Sequence, residues 1–139
     1  MKKYIYVDTE NVDFSSWYGV VPYLKSNDVL VLPYTCNSVK WSLDLMSKYG
    51  FPKCHVEFVP VQTGTKNALD FVLVAVLSQH VMRAKKSLHL VISRDGGYTP
   101  AITYLRHQGI SRHNLVQVNS WASYVATHSG EFEKDCWKL

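Results

Sequence analysis

Residues Tyr4 to Val7 form a run that is apolar at every position and is followed at once by Asp8. A strand that is apolar on both faces has to be covered on both faces, as happens at the centre of a parallel sheet. Parallel neighbours also need long crossover connections, which are usually helices. The start of the chain therefore predicts an α/β fold.

Further strands and helices are predicted in alternation along the rest of the chain. The first helix is capped by Asp13 or Ser15 and is expected to be short or irregular because it contains Pro22. The longest helix is apolar nearly all round, so we expect it to pack against the sheet over most of its length. The predicted strands are 4–7, 28–33, 54–61, 88–93 and 115–119, and the predicted helices are 14–24, 38–49, 67–85, 99–108 and 121–127.

This order of elements predicts a three-layer α/β sandwich with a five-stranded parallel sheet and right-handed crossovers. The expected strand order is 3-2-1-4-5. A chain of 139 residues can bury one core without help from disulfides. We expect residues 1–128 to form a single domain and 129–139 to form a polar C-terminal tail.

Three aspartates fall where this fold brings side chains together. Asp8 and Asp95 end the first and fourth strands, which are neighbours in the expected order, and ligands bind at the carboxyl ends of parallel strands. Asp70 opens the longest helix, whose loop returns to the middle of the sheet. Each aspartate alone is also explained as a turn, cap or helix-dipole residue. Their joint placement predicts that the three carboxylates meet.

Three carboxylates in one place favour a bound cation. They repel one another by about 1 kcal/mol per pair in water and by up to about 4 kcal/mol at a protein-like dielectric constant. Mg²⁺ and Mn²⁺ are hard ions that take carboxylate oxygens and leave positions for water and phosphate. The pattern therefore predicts a Mg²⁺ or Mn²⁺ site for phosphodiester chemistry.

Neighbouring polar residues are candidates for supporting roles. Asn11 and Ser93 are placed to orient a carboxylate, although both residue types are common at turns. Glu10 is a candidate fourth acid unless strand alternation turns it away. Lys66 lies one helical turn before Asp70 and is expected either to contact phosphate or to pair with that aspartate.

Basic and aromatic residues predict a groove for single-stranded nucleic acid, which would be held by phosphate contacts and base stacking. Solvated charges and core aromatics produce the same pattern, so the patch alone does not decide. The formal net charge of +4 also favours neither interpretation. The candidate nucleic-acid-binding residues are Lys40, Lys66, Arg94 and Tyr98.

Several other kinds of protein are disfavoured. Cys36, Cys54 and Cys136 are widely spaced, which argues against a disulfide framework or a zinc site and favours a reducing cytoplasm. The longest apolar run, 71–77, is too short to span a bilayer, and no secretory leader is expected. The chain also lacks a P-loop, a G-x-S-x-G elbow and a G-x-G-x-x-G loop. We expect a cytoplasmic protein without membrane contact.

In three stretches the sequence resembles the PIN-like and NYN nuclease superfamily, over residues 4–119. Its members are typically metal-dependent ribonucleases with an acidic cluster. The resemblance implies Asp8, Asp70 and Asp95 as catalytic metal ligands, RNA as the substrate, and a possible homodimer or protein partner such as an antitoxin. The matching stretches are Val7-Asp8-x-Glu10-Asn11, Lys66-x-x-x-Asp70 and Ser93-x-Asp95-x-Gly97-Tyr98.

The sequence departs from that family at Gly97. Many relatives carry a second acid two residues after the one that matches Asp95. Two functions therefore remain open, a metal-dependent endoribonuclease and an inactive module that binds RNA or a protein. A haloacid-dehalogenase-type phosphohydrolase fits less well because such an enzyme needs a second acid pair late in the chain, after a lysine, and the residues after Ser93 offer no convincing one. A receiver domain fits less well because the third strand does not end on an aspartate.

Overall fold

The computed structural model describes residues 1–35, 47–48, 50, 52–62 and 67–128. Its strands form one five-stranded parallel sheet in the order β3-β2-β1-β4-β5. The predicted fold class and strand order are confirmed. The strands are β1 (Lys3–Val7), β2 (Val29–Tyr34), β3 (His55–Pro60), β4 (Leu88–Ile92) and β5 (Leu115–Val118).

The described helices lie between these strands and after the last one. None of them has the length and hydropathy needed to cross a bilayer. The predicted helix over 38–49 and the predicted tail over 129–139 lie outside the described residues, except that residues 47 and 48 are described as helical. The helices are α1 (Phe14–Trp17), α2 (Ala68–Arg83), α3 (Thr99–His107) and α4 (Trp121–Thr127), with 3₁₀ turns at Tyr18–Tyr23 and Gly96–Tyr98.

Two helices differ from their sequence patterns. The predicted helix over 14–24 is split into α1 and a 3₁₀ turn that contains Pro22, which has no N–H to donate. The longest described helix, α2, was expected to be apolar and packed nearly all round. It is buried along its length on one stripe only, and Phe71 on the opposite side is 70% exposed. The buried residues of α2 are Leu69, Leu73, Leu77 and Val81.

Strand alternation and register determine what lies at the carboxyl end of the central strands. Val7 of β1 is paired with Ile92 of β4, so the next residues, Asp8 and Ser93, lie side by side. Because side chains alternate, Asp8 is on the same side as Tyr6. Tyr6 packs in the cluster that α2 and α3 cover, whereas α1 and α4 cover the other face. Asp8 therefore emerges beneath the first turn of α2.

Candidate metal centre

Asp8 is the most enclosed of the three aspartates, with an exposed fraction of 0%. Its Oδ2 accepts hydrogen bonds from Ser93 Oγ at 2.7 Å and from Asn11 Nδ2 at 2.8 Å. Its Oδ1 is buried and has no hydrogen-bond partner among the described residues. Leaving such an acceptor unpaired is costly, and buried oxygens of this kind are normally satisfied by protein, water or an ion. Asp8 thus presents one oxygen to a ligand.

The turn after β1 explains how Asn11 reaches Asp8. The backbone N–H groups of Asn11 and Val12 both donate to the Asp8 carbonyl at 3.1 Å, so the chain folds back over the aspartate. The same turn leaves Glu10 exposed, and Glu10 does not belong to the described group of acids that lie together. The structure therefore brings Asn11 into the centre and leaves Glu10 outside it.

Asp70 reaches the centre from the first turn of α2. Its Oδ1 accepts a hydrogen bond from the Tyr98 hydroxyl at 3.1 Å. Burial, and then the nearby charges of Asp8 and Asp95, raise the pKa of Asp70 above its ordinary value. Asn67, the residue before the helix, makes no capping hydrogen bond with its side chain, so it forms no capping box with Asp70.

Asp95 is held in place by the loop that follows β4. Its Oδ1 accepts a hydrogen bond from the Gly97 N–H at 2.8 Å, and its own N–H donates to Ser93 Oγ at 3.0 Å. Because the Ser93 hydroxyl also donates to Asp8, this one side chain links two of the aspartates. A Cβ at position 97 would lie 3.1 Å from Asp95 Oδ1, so a side chain there requires that oxygen to shift by a few tenths of an ångström.

Gln117 is a supporting residue that the sequence interpretation missed. Its Nε2 donates to the carbonyl oxygens of Ser93 at 3.1 Å and of Asp95 at 2.8 Å, which fixes the loop from β5. A glutamine in a short strand gives no local signal of this role. Only the pairing of β4 with β5, which places Gln117 beside Val91, shows that its side chain can reach the loop.

Together the three aspartates form a compact cluster. One oxygen from each of Asp8, Asp70 and Asp95 lies within 4.8 Å of the others. Oxygens on opposite sides of a Mg²⁺ ion are about 4 Å apart, so the cluster is close to the span of one ion. The hard carboxylate donors and the unpaired Asp8 Oδ1 fit a divalent metal ion. These three residues could hold such an ion.

Tyr98 does not have the position that base stacking requires. Its side chain is 1% exposed and packs under α3, so the expectation that it stacks on a nucleic-acid base is corrected here. Its hydroxyl instead donates to Asp70. Burial, and then Asp8 and Asp70, raise the pKa of Tyr98, so the phenol stays protonated and remains a donor. From the sequence, an aromatic residue before a helix is suited both to base stacking and to the core. Tertiary packing places Tyr98 in the core.

The structure describes only one of the three basic candidates. Arg94 is exposed and directly precedes Asp95 in the loop after β4. Lys40 and Lys66 lie outside the described residues. Contact between these three residues and nucleic acid stays a prediction.

Comparison with known proteins supports the same reading of the fold. The sequence model of one family, described as the PIN domain, matches residues 2–115. The match spans more than half of the 139 residues and includes all three aspartates. Neither the curated proteins nor the solved structures yield a match to this chain. The PIN part of the resemblance is confirmed, and the NYN part stays a prediction.

Proposed function

Because this chain belongs to the PIN domain family, we propose that it is a Mg²⁺- or Mn²⁺-dependent endoribonuclease that hydrolyses phosphodiester bonds of RNA. PIN domains are typically nucleases and generally use divalent metal ions. The observation that carries the proposal is the buried Oδ1 of Asp8, which no described residue hydrogen-bonds, inside a cluster of three carboxylates. A structural aspartate at a strand end would have both oxygens engaged or solvated.

The residues of the chain prepare the centre before any ligand arrives. Ser93 and Asn11 fix Oδ2 of Asp8, which leaves Oδ1 directed to the ligand. The Gly97 N–H fixes Asp95, and the Tyr98 hydroxyl fixes Asp70. When bound, a divalent cation supplies Lewis-acid polarisation of a phosphodiester and lowers the pKa of water. Carboxylates held in this way need little rearrangement, which favours catalysis.

Single-stranded RNA is the proposed form of the substrate. An exposed arginine, Arg94, directly precedes Asp95 in the loop after β4 and supports phosphate contact there. A cytoplasmic location belongs to the same proposal and is supported by Cys54, a buried free thiol. A homodimer or a protein partner stays open as part of the proposal.

The test is cleavage of a labelled single-stranded RNA. We expect cleavage with Mg²⁺ or Mn²⁺, none in EDTA, and none by the Asp95→Asn variant in either metal. Asp13→Asn is the matched control, because Asp13 caps α1 on the surface and asparagine caps helices equally well. Binding of RNA without turnover in any divalent metal would favour the alternative, a PIN module that binds RNA or a protein without cutting.

Two adjacent glycines give a second test of the centre. Gly97→Ala should lower activity about 10-fold or more, because its Cβ would crowd Asp95 Oδ1, and disturbing a residue that orients a metal ligand has effects of that size. Gly96→Ala should leave activity unchanged, since a Cβ there meets nothing within 4 Å. Neither glycine has a positive φ, so alanine fits both backbones. Equal rates for the two variants contradict the placement of Asp95.

A further inference from the structure

A cavity of about 370 Å³ opens at the β5 edge of the sheet, beside the loop that carries Asp95. Two of its lining residues, Arg94 and Gly96, flank Asp95 in the sequence. A third is Gln117, whose Nε2 holds the Asp95 carbonyl. The cavity and the metal centre therefore share the loop after β4. Whatever occupies the cavity lies next to whatever Asp95 binds.

One wall of the cavity is a polar stripe on α3. Thr99, Thr103 and Arg106 are spaced by four and three residues, so they lie on the same face of the helix, and all three line the cavity. Thr99 and Thr103 are exposed, which leaves their hydroxyl groups accessible. Arg106 is held in place because its Nη2 donates to the Leu115 carbonyl at 2.7 Å. The wall thus offers two hydroxyl groups and a fixed guanidinium group.

The described side chains that line the cavity carry positive charge and no negative charge. Neither Arg94 nor Arg106 forms an ion pair with an acid among the described residues, where the pairs are Lys3–Asp28 and His80–Glu57. No acidic residue of the described ranges lines the cavity itself. Arg106 also keeps a buried Nε that has no hydrogen-bond partner in the described part of the chain. A concave surface that is lined by positive charge alone attracts anions.

We propose that this cavity holds one nucleotide of the RNA, next to the phosphodiester bond at the metal centre. Arg94 and Arg106 contact its phosphate, because guanidinium groups match the geometry of phosphate oxygens. Thr99, Thr103 and the Oε1 of Gln117, whose Nε2 is already engaged, contact the sugar or base. The volume lies at the small end of ligand sites, which suits one nucleotide. This inference rests on the proposed nuclease function.

A second cavity, of about 650 Å³, supplies a control. It lies at the amino ends of β1 and β4 and is lined by Lys3, Leu88 and Arg112, among others. That is the opposite edge of the sheet from the aspartates. Arg112 is exposed and forms no ion pair with a described acid. Arg112→Gln therefore changes the net charge as Arg94→Gln does, but far from the proposed nucleotide.

The experiment measures binding of uridine 5′-monophosphate by calorimetry, in EDTA so that no metal ion contributes. Arg94→Gln should weaken binding about tenfold or more, which is the usual effect of losing a charged hydrogen bond, while Arg112→Gln should bind like the native chain. Thr103→Val should also weaken binding, and because it changes no charge, its effect reports contact in the cavity. No binding up to millimolar concentration, or equal affinity of the two arginine variants, overturns the proposal.

Kinetics separate this inference from the proposed function. With a single-stranded RNA substrate, Arg94→Gln and Thr103→Val should raise KM with little change in kcat, because they remove binding that the ground state and transition state share. Cleavage with an unchanged KM in both variants would support the nuclease function and contradict the nucleotide site. Nucleotide binding that depends on Arg94 and Thr103, without any cleavage, would support the nucleotide site and contradict the nuclease function.

Discussion

Replacing Asp8 by asparagine should lower the rate of RNA cleavage by at least about 100-fold. Disturbing the partners of a metal ligand already costs about 10–100-fold, and Asp8 is proposed as a ligand itself. Asparagine keeps the size of the side chain, but it removes the negative charge and turns one oxygen into an N–H₂ donor. If the new N–H₂ group faces Ser93 and Asn11, the hydrogen-bond donors of those two residues meet another donor and lose their acceptor. If it faces the ion, the ligand is lost.

A graded series makes this result specific to the metal centre. Ser93→Ala should give an intermediate loss, about 10–100-fold, because Asp8 keeps its charge but loses one of the groups that hold Oδ2. Asp13→Asn should keep the native kcat, because Asp13 is not one of the three clustered acids. Circular dichroism of each variant checks that the sheet is intact. Native activity in Asp8→Asn would remove Asp8 from the reaction and return it to the role of a strand end.

Asp70→Asn should have two opposite effects, loss of cleavage and a higher melting temperature without metal. Burial and the charges of Asp8 and Asp95 disfavour the ionised form of Asp70, so the folded chain binds its proton more tightly than the unfolded chain does. Stability therefore falls as the pH rises from the ordinary aspartate pKa through the raised pKa of Asp70. An asparagine cannot ionise and avoids this penalty. The variant should be more stable at neutral pH by a few degrees.

Calorimetry in EDTA over a range of pH measures this difference. The advantage of Asp70→Asn should shrink as the pH falls below the raised pKa of Asp70, where the native side chain is neutral as well. Asp13→Asn is the matched comparison, because hydrogen bonds from Ser16 and Ser15 lower the pKa of Asp13 and its charge already favours folding. Adding Mg²⁺ or Mn²⁺ should raise the melting temperature of the native chain more than that of Asp70→Asn. Equal melting temperatures in EDTA contradict the crowding of the three acids.

The strands and the central position of the first one were predictable because the relevant information is local. Tyr4 to Val7 is apolar on both faces, and few positions in an α/β sheet suit such a run besides the centre. Once that strand is central, the residue after it falls at the edge where ligands bind. The same reasoning located Asp95, because β4 is also buried on both faces. The family resemblance agreed with this placement.

Two side chains were beyond the reach of sequence reasoning. The sequence indicates an aromatic residue at Tyr98 but not whether its ring faces solvent or the core, and packing under α3 placed its hydroxyl against Asp70. Gln117 carries no motif, and its two hydrogen bonds to the loop depend on the register between β4 and β5. Contacts between residues far apart in sequence set both positions, and no local pattern encodes them.

By itself, the sequence determined which residues follow the central strands. With the expected strand order, that placed Asp8 beside Asp95 and brought Asp70 within reach of both. The tertiary structure alone decided that Asp8 keeps one buried oxygen unpaired, that Tyr98 supports Asp70, and that Gly97 leaves room for Asp95. Those features depend on distances of a few ångströms between separate elements. Such distances are set when the two faces of the sheet are packed.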